Sequence, residues 1–228
     1  MGSSASKTEI APLPHGVNLP IAFNLYYQKS WGLKFRLGEH ESNTLYSAAL
    51  SGGWQGDLVL YNGPNTDETA ALATVRSTGT LGGDNLITLP PPVAGARPVQ
   101  EEMRRSGVLH EVHTFAMPVG SAAMPQKFEW HRASKEELAP LGVSSHGWKL
   151  VYNGETVALW ADAKMLSSMT KAARFMFVNS GATGQLGIMW ALMAVVTFVR
   201  LYQKQVANNT IVASTSAASA GAAAAVSG

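Results

Sequence analysis

Leu33, Phe35 and Leu37 alternate with Lys34 and Arg36. This is the period of two that sends successive side chains to opposite faces of a half-buried strand. Short apolar runs follow at 45–50, 58–61, 72–75 and 86–89, each bounded by Gly, Asn, Pro or Asp, the residues that punctuate turns. Pro90, Pro91, Pro92 and Pro98 then interrupt the chain. The stretch to Gly107 reads as a long loop with one helical turn over 101–105. Strands resume at 108–115 and 127–132. In 147–162, Trp148, Leu150 and Tyr152 alternate, Asn153-Gly154 intervenes, and Val157 and Leu159 alternate again. An Asn-Gly pair between alternating runs marks a tight hairpin, because both central residues need positive φ. A last strand is expected over 174–178. About eleven strands at near-regular spacing predict a mainly β sandwich or barrel.

One segment departs from this pattern. Leu186, Ile188, Met189, Trp190, Leu192, Met193, Val195, Val196, Phe198 and Val199 crowd into a run without a polar stripe. A helix apolar on all sides is buried in a core or in lipid. The run 186–199 is 14 residues long, short of the roughly 20 that a bilayer span needs. A core helix near 186–204 is therefore expected rather than a tail anchor, with Arg200, Tyr202 and Lys204 marking its return to water. Residues 1–20, with Pro12, Pro14 and Pro20, read as a flexible arm, and 206–228, rich in Ala and Ser, as a disordered tail. The folded domain is then 21–205.

Taken together, Tyr61-Asn62-Gly63-Pro64, Phe128-Glu129-Trp130-His131-Arg132 and Gly147-Trp148-Lys149-Leu150 carry a resemblance. Ala158-Leu159-Trp160, Thr170-Lys171-Ala172 and Trp190-Ala191-Leu192-Met193-Ala194-Val195 extend it. The chain resembles the tubby C-terminal-like superfamily, which includes the LURP-one-related and phospholipid scramblase-like proteins, and looks most like its small fungal members. The resemblance implies a closed barrel of about twelve antiparallel strands around a hydrophobic C-terminal helix. It also implies contact with phosphoinositide or other lipid and adaptor-like roles. The superfamily's basic lipid pocket does not map onto this sequence residue by residue.

Composition narrows the function. Charged residues make up 14% of the chain against about 25% in an ordinary domain. The net charge of +2 is too small for a nucleic-acid binder driven by phosphate neutralisation. With no cysteine, thiol catalysis, zinc–thiolate sites and palmitoylation are excluded, and a reducing compartment such as the cytoplasm fits. From Ala163 onward the chain carries Lys164, Lys171, Arg174, Arg200 and Lys204 and no acid. Such asymmetry points to a face turned toward an anionic surface, with Lys164, Lys171 and Arg174 as candidate anionic-lipid contacts.

Candidate chemistry is sparse. His110 and His113 flank Glu111 and Val112, but residues three apart on a strand face opposite ways and cannot chelate one ion. Ser168-Met169-Thr170-Lys171 fits a loose acylase pattern without its companion motifs. Gly181, Gly184 and Gly187 lack dinucleotide-binding spacing and read as a loop before the helix. Trp130, Trp148 and Trp160 sit at strand spacing and are expected in the core. Met1-Gly2-Ser3-Ser4-Ala5-Ser6 fits the N-myristoylation pattern, which makes Gly2 a candidate acylation site. No catalytic, metal-binding or cofactor-binding residue is expected. The expected function is a non-enzymatic, membrane-peripheral module that contacts anionic lipid. A protein-interaction module without a lipid role is the alternative, and a tail-anchored or scramblase-like membrane protein is a weaker one.

Overall fold

The computed structural model describes residues 10, 17–29, 32–66, 69–78, 83–93, 95–107, 110–120, 124–142, 146–163 and 170–225, with side chains to Thr210. Strands β1 (Ala22–Tyr27), β2 (Lys34–His40), β3 (Asn43–Ser51), β4 (Asp57–Tyr61), β5 (Ala71–Ser77) and β6 (Asn85–Leu89) are followed by β7 (Val99–Ser106), β8 (Val112–Met117), β9 (Gln126–Ala133), β10 (Gly147–Tyr152), β11 (Glu155–Asp162) and β12 (Lys171–Phe177). Each strand pairs antiparallel with its sequence neighbours, and β1 pairs with β12, which closes a barrel. Closure leaves no unpaired edge. Helix α1 (Ile188–Ala225) enters at one end of the barrel, leaves at the other, and is the barrel's core.

The alternation read from the sequence decides which side chains face inward. Phe23, Leu25, Phe35, Leu37, Ala48, Leu50, Val75, Ile87, Phe115, Phe128, Leu150 and Phe175 all turn toward α1 and are buried. Trp130 and Trp160 are fully buried and Trp148 nearly so, as expected. Trp148 and Trp160 are cross-strand partners with rings 6.4 Å apart. The Asn153-Gly154 hairpin forms with both residues at positive φ, 49° and 81°. On α1, Leu192, Met193, Val195, Val196, Phe198 and Val199 have no contact with solvent, because the barrel surrounds them on every side. Phe198 packs between Phe175 and Trp160. Burial of this kind is worth about 1.5–3 kcal/mol per large side chain. The one hydroxyl in the segment, Thr197 Oγ1, donates to the Met193 carbonyl at 2.8 Å and accepts from Trp130 Nε1 at 3.0 Å.

Four expectations are corrected. The segment expected as a loop with a helical turn at 101–105 is strand β7, in which Met103, opposite Asn85, is the one buried side chain and Val99 packs partly buried on the core. A strand with one buried apolar side chain among charged ones has too weak an alternation to read. The arm is docked in part: Val17 and Leu19 pack on the core, Tyr46 donates to the Asn18 carbonyl at 3.0 Å, and Ile10 bridges to Ala71. Helix α1 runs on to Ala225, through most of the segment expected as a disordered tail, in keeping with alanine's high helix propensity. Finally, Arg200 and Tyr202 do not mark a return to water. Both are buried inside the barrel.

Candidate functional site: two ends and an outer wall

Among the sequence-derived candidates, Gly2, Lys164 and Ser168 lie outside the described residues. Lys171 and Arg174 are on β12. Residues three apart on a regular strand face opposite sides, but the register shifts here: Arg174 pairs with Asn24 and Lys171 with Tyr26. Asn24 and Tyr26 share the outer face of β1, so both cations project from the outer wall. Arg174 depresses the Lys171 ammonium's pKa, after the larger effect of partial burial. An acid is present after all: Glu41, in the β2–β3 turn, accepts a hydrogen bond from Thr170 at 2.8 Å, so this hairpin folds back along the wall.

The four described basic residues of the C-terminal third do not form one face. Arg200 is 1% exposed at the end where α1 leaves the barrel. Its Nε donates to Asn85 Oδ1 at 2.8 Å, Nη1 to the Gly56 carbonyl at 2.7 Å and Gln203 Oε1 at 2.6 Å, and Nη2 to Ser77 Oγ at 2.6 Å. Every one of these partners is neutral. Burial lowers the guanidinium pKa to about 10, and the nearby Asp57 opposes the shift. Gln203 Nε2 donates to the Trp54 and Gly56 carbonyls, both at 2.9 Å. Only glycine fits at position 56, because a Cβ there would run into the Ser51 carbonyl oxygen. Lys204 Nζ donates to the Gly83 carbonyl at 3.0 Å, and burial lowers its pKa to about 8. The Tyr27 and Tyr202 hydroxyls meet at 2.5 Å.

Beside this exit end, Glu111 gathers three cationic or ionisable partners. His113 Nε2 donates to Oε1 at 3.1 Å, Arg105 Nε lies 3.0 Å from Oε1, and Arg132 Nη2 lies 3.9 Å from Oε2. The bond from His113 holds the Glu111 carboxyl below its ordinary pKa. His113 is 1% exposed, and burial pushes its imidazole pKa down despite Glu111. Its Nδ1 has no hydrogen-bond partner among the described residues. The ring packs against Trp148, over which the Arg132 guanidinium also lies, 4.1 Å from the indole centroid. Arg132 also donates to Gln205 Oε1 at 3.1 Å, and Gln205 donates to Asp162 Oδ2 at 2.6 Å. Burial raises the Asp162 pKa.

From this cluster a cleft of about 820 Å³ runs along the outer wall, past His110, His131 and Lys149, to Gly154 at the β10–β11 hairpin. Its three cations face two acids: Arg105 and Arg132 share Glu111, and Lys149 pairs with Glu137 at 2.5 Å. Sequence reading missed the cleft, because its residues come from β7 to β11 and from the connections between them. His110 lines the cleft while His113 is buried, so the two histidines do not converge. Among the described residues no group of three or more His, Asp or Glu is placed to hold a metal ion.

The opposite end, where α1 enters, is apolar. Trp190 meets Phe177 and Phe128. Leu19, Ile21, Phe177, Leu186 and Ile188 line a groove of about 410 Å³. Among the described residues no helix is long and apolar enough to cross a membrane. The barrel's outer wall bears Arg36, Glu102, Arg104, Glu129, His131 and Lys149, whereas the outer face of a membrane-spanning barrel is an apolar band. No protein-family model, curated protein or solved structure matches the chain.

Proposed function

We propose that this chain is a non-enzymatic, membrane-peripheral binding module that contacts anionic lipid from the cytoplasmic side and serves as an adaptor. The observation that carries the reading is the filled barrel. Helix α1 occupies the interior from Trp190 to Tyr202, so the described residues leave no chamber inside the barrel, which favours recognition on the outer surface. Lysines and arginines project there, on a chain too sparsely charged for nucleic acid. The resemblance to the tubby-like superfamily supports the same reading. Myristoylation of Gly2 belongs to it as well. One acyl chain gives only marginal, reversible attachment, so the barrel itself supplies the second contact.

The test is sedimentation of the full chain with vesicles, with and without anionic phospholipid, at two salt concentrations. The expected result is binding that needs anionic lipid and weakens as salt rises. No binding to either vesicle overturns the lipid reading. The wall cleft favours a second reading, a protein-interaction module. A polar cleft lined by charges of both signs suits an extended polar peptide, and that reading expects a protein partner and no vesicle binding.

A further inference from the structure

Three of the most exposed large apolar side chains among the described residues stand on separate connections at one end of the barrel. Ile21 immediately precedes β1, Val93 lies between β6 and β7, and Met124 between β8 and β9, with exposures of 58%, 66% and 74%. All three are at the end where α1 enters. The Ile21 carbonyl accepts a hydrogen bond from Phe177, the last residue of β12. Strand β6 starts at Asn85, in the Arg200 network, so the connection after Leu89 lies at the opposite end. In the β8–β9 connection, Gly120 abuts the Gln185 carbonyl just ahead of α1.

In strand order β1, the β6–β7 connection and the β8–β9 connection are spread around the closed sheet. A protein partner would have to cap the whole mouth to cover all three side chains. The interface of a bilayer meets them at once. Cations lie near two of the three tips. Exposed Arg97 follows Val93 on its connection, and Lys127, 2.7 Å from Glu129, follows Met124. An apolar tip with a cation a few residues away suits the boundary between acyl chains and phosphates. The N-terminus of α1 opens at this end with no acid in its first turn, so its positive dipole end adds to the attraction. Glu155, at the same end, accepts a hydrogen bond from Ser180.

We propose that the end of the barrel where α1 enters is the membrane-docking face. Ile21, Val93 and Met124 enter the interface of an anionic bilayer, and α1 stays inside the barrel. This rests on the membrane-peripheral reading and specifies its face. The chain has no cysteine, so single-cysteine variants Val93→Cys, Met124→Cys and, remote from this end, Lys135→Cys can each carry one environment-sensitive dye. With anionic vesicles the dyes at 93 and 124 should shift to the blue and be quenched by brominated lipid, while the dye at 135 should not respond. Val93→Asp with Met124→Asp should lower the partition coefficient by about tenfold or more, with an unchanged melting temperature. Lys171→Ala with Arg174→Ala should lower it by less than about twofold. Vesicle binding in which position 135 responds and 93 and 124 do not, or in which the double Asp variant binds like the parent, overturns the docking face and leaves the lipid reading standing. Failure of the parent chain to bind vesicles overturns both.

Discussion

Where α1 enters the barrel, Trp190 lodges among Phe177 and Phe128 and the surrounding connections expose apolar side chains. Where it leaves, Arg200, Gln203, Lys204 and Gln205 are bound to Asn85, Ser77, Gly56, Trp54, Gly83 and Asp162. One helix thus meets two kinds of wall. The first end is held by shape and area, which neighbouring apolar residues can replace in part. The second is held by specific donors and acceptors, and a buried donor or acceptor without a partner costs about 1–3 kcal/mol. The second arrangement fixes the rotation and depth of α1, which apolar packing alone fixes loosely.

The largest effect expected is at the middle of the helix, away from both ends. Leu192 has no contact with solvent, so Leu192→Asp buries an unpaired charge that costs several kcal/mol against a total stability of about 5–15 kcal/mol. The variant should fail to fold, read by circular dichroism and by loss of soluble protein. A soluble variant that melts cooperatively would place this segment outside the barrel.

Next comes the exit end. Arg200→Met keeps the volume but removes the donor to Asn85, Ser77 and Gln203, and should cost about 1–3 kcal/mol for each of them left unpaired, read in denaturant melts. Asn85→Ala, which removes one acceptor, should cost about 1–3 kcal/mol. An Arg200→Met protein as stable as the parent would show that the polar network does not hold the helix, and the contrast between the ends would fall.

A smaller effect is expected with pH. His113 titrates in the folded chain below its ordinary value of 6.5, because burial disfavours the charged ring. Between that depressed value and 6.5 the unfolded chain binds the extra proton, so stability should fall as pH drops below about 6.5. Lys204 has the same sign at higher pH. Its pKa is about 8 when folded and 10.5 ordinarily, so stability should rise as pH climbs from 8 toward 10.5. Melting temperatures from pH 5 to 10 measure both slopes, and His113→Gln should flatten only the acid one. A His113→Gln protein with an unchanged acid slope would assign that slope to another group.

The same contrast explains what was readable from the sequence. The apolar run from Leu186 to Val199 and the alternation at Trp148, Leu150, Val157 and Leu159 are local patterns, and they revealed the helix and the hairpin. Asn85 and Arg200 are 115 positions apart. No local pattern says that an arginine at the end of an apolar run will turn inward to neutral partners, so it read as a surface cation. Strand β7 was hidden because its neighbours in the barrel, rather than its own alternation, hold it in the sheet. Val93 and Met124 sit in proline-containing connections, where a single apolar residue carries no signal until the fold brings the connections to one end. On β12, Lys171 and Arg174 share a face only because of the register shift against β1.

The account holds that α1 is a fixed core and that the end where it enters faces the membrane. Hydrogen exchange of the full chain, with and without anionic vesicles, tests both parts at once. The prediction is that amides from Trp190 to Tyr202 are among the slowest to exchange in either condition. The amides of Val93, Arg97 and Met124 should exchange fast in solution and gain protection on vesicles. Faster exchange in Trp190–Tyr202 on vesicles, with no gain at those three amides, would mean that the helix leaves the barrel for the lipid, and would contradict the account.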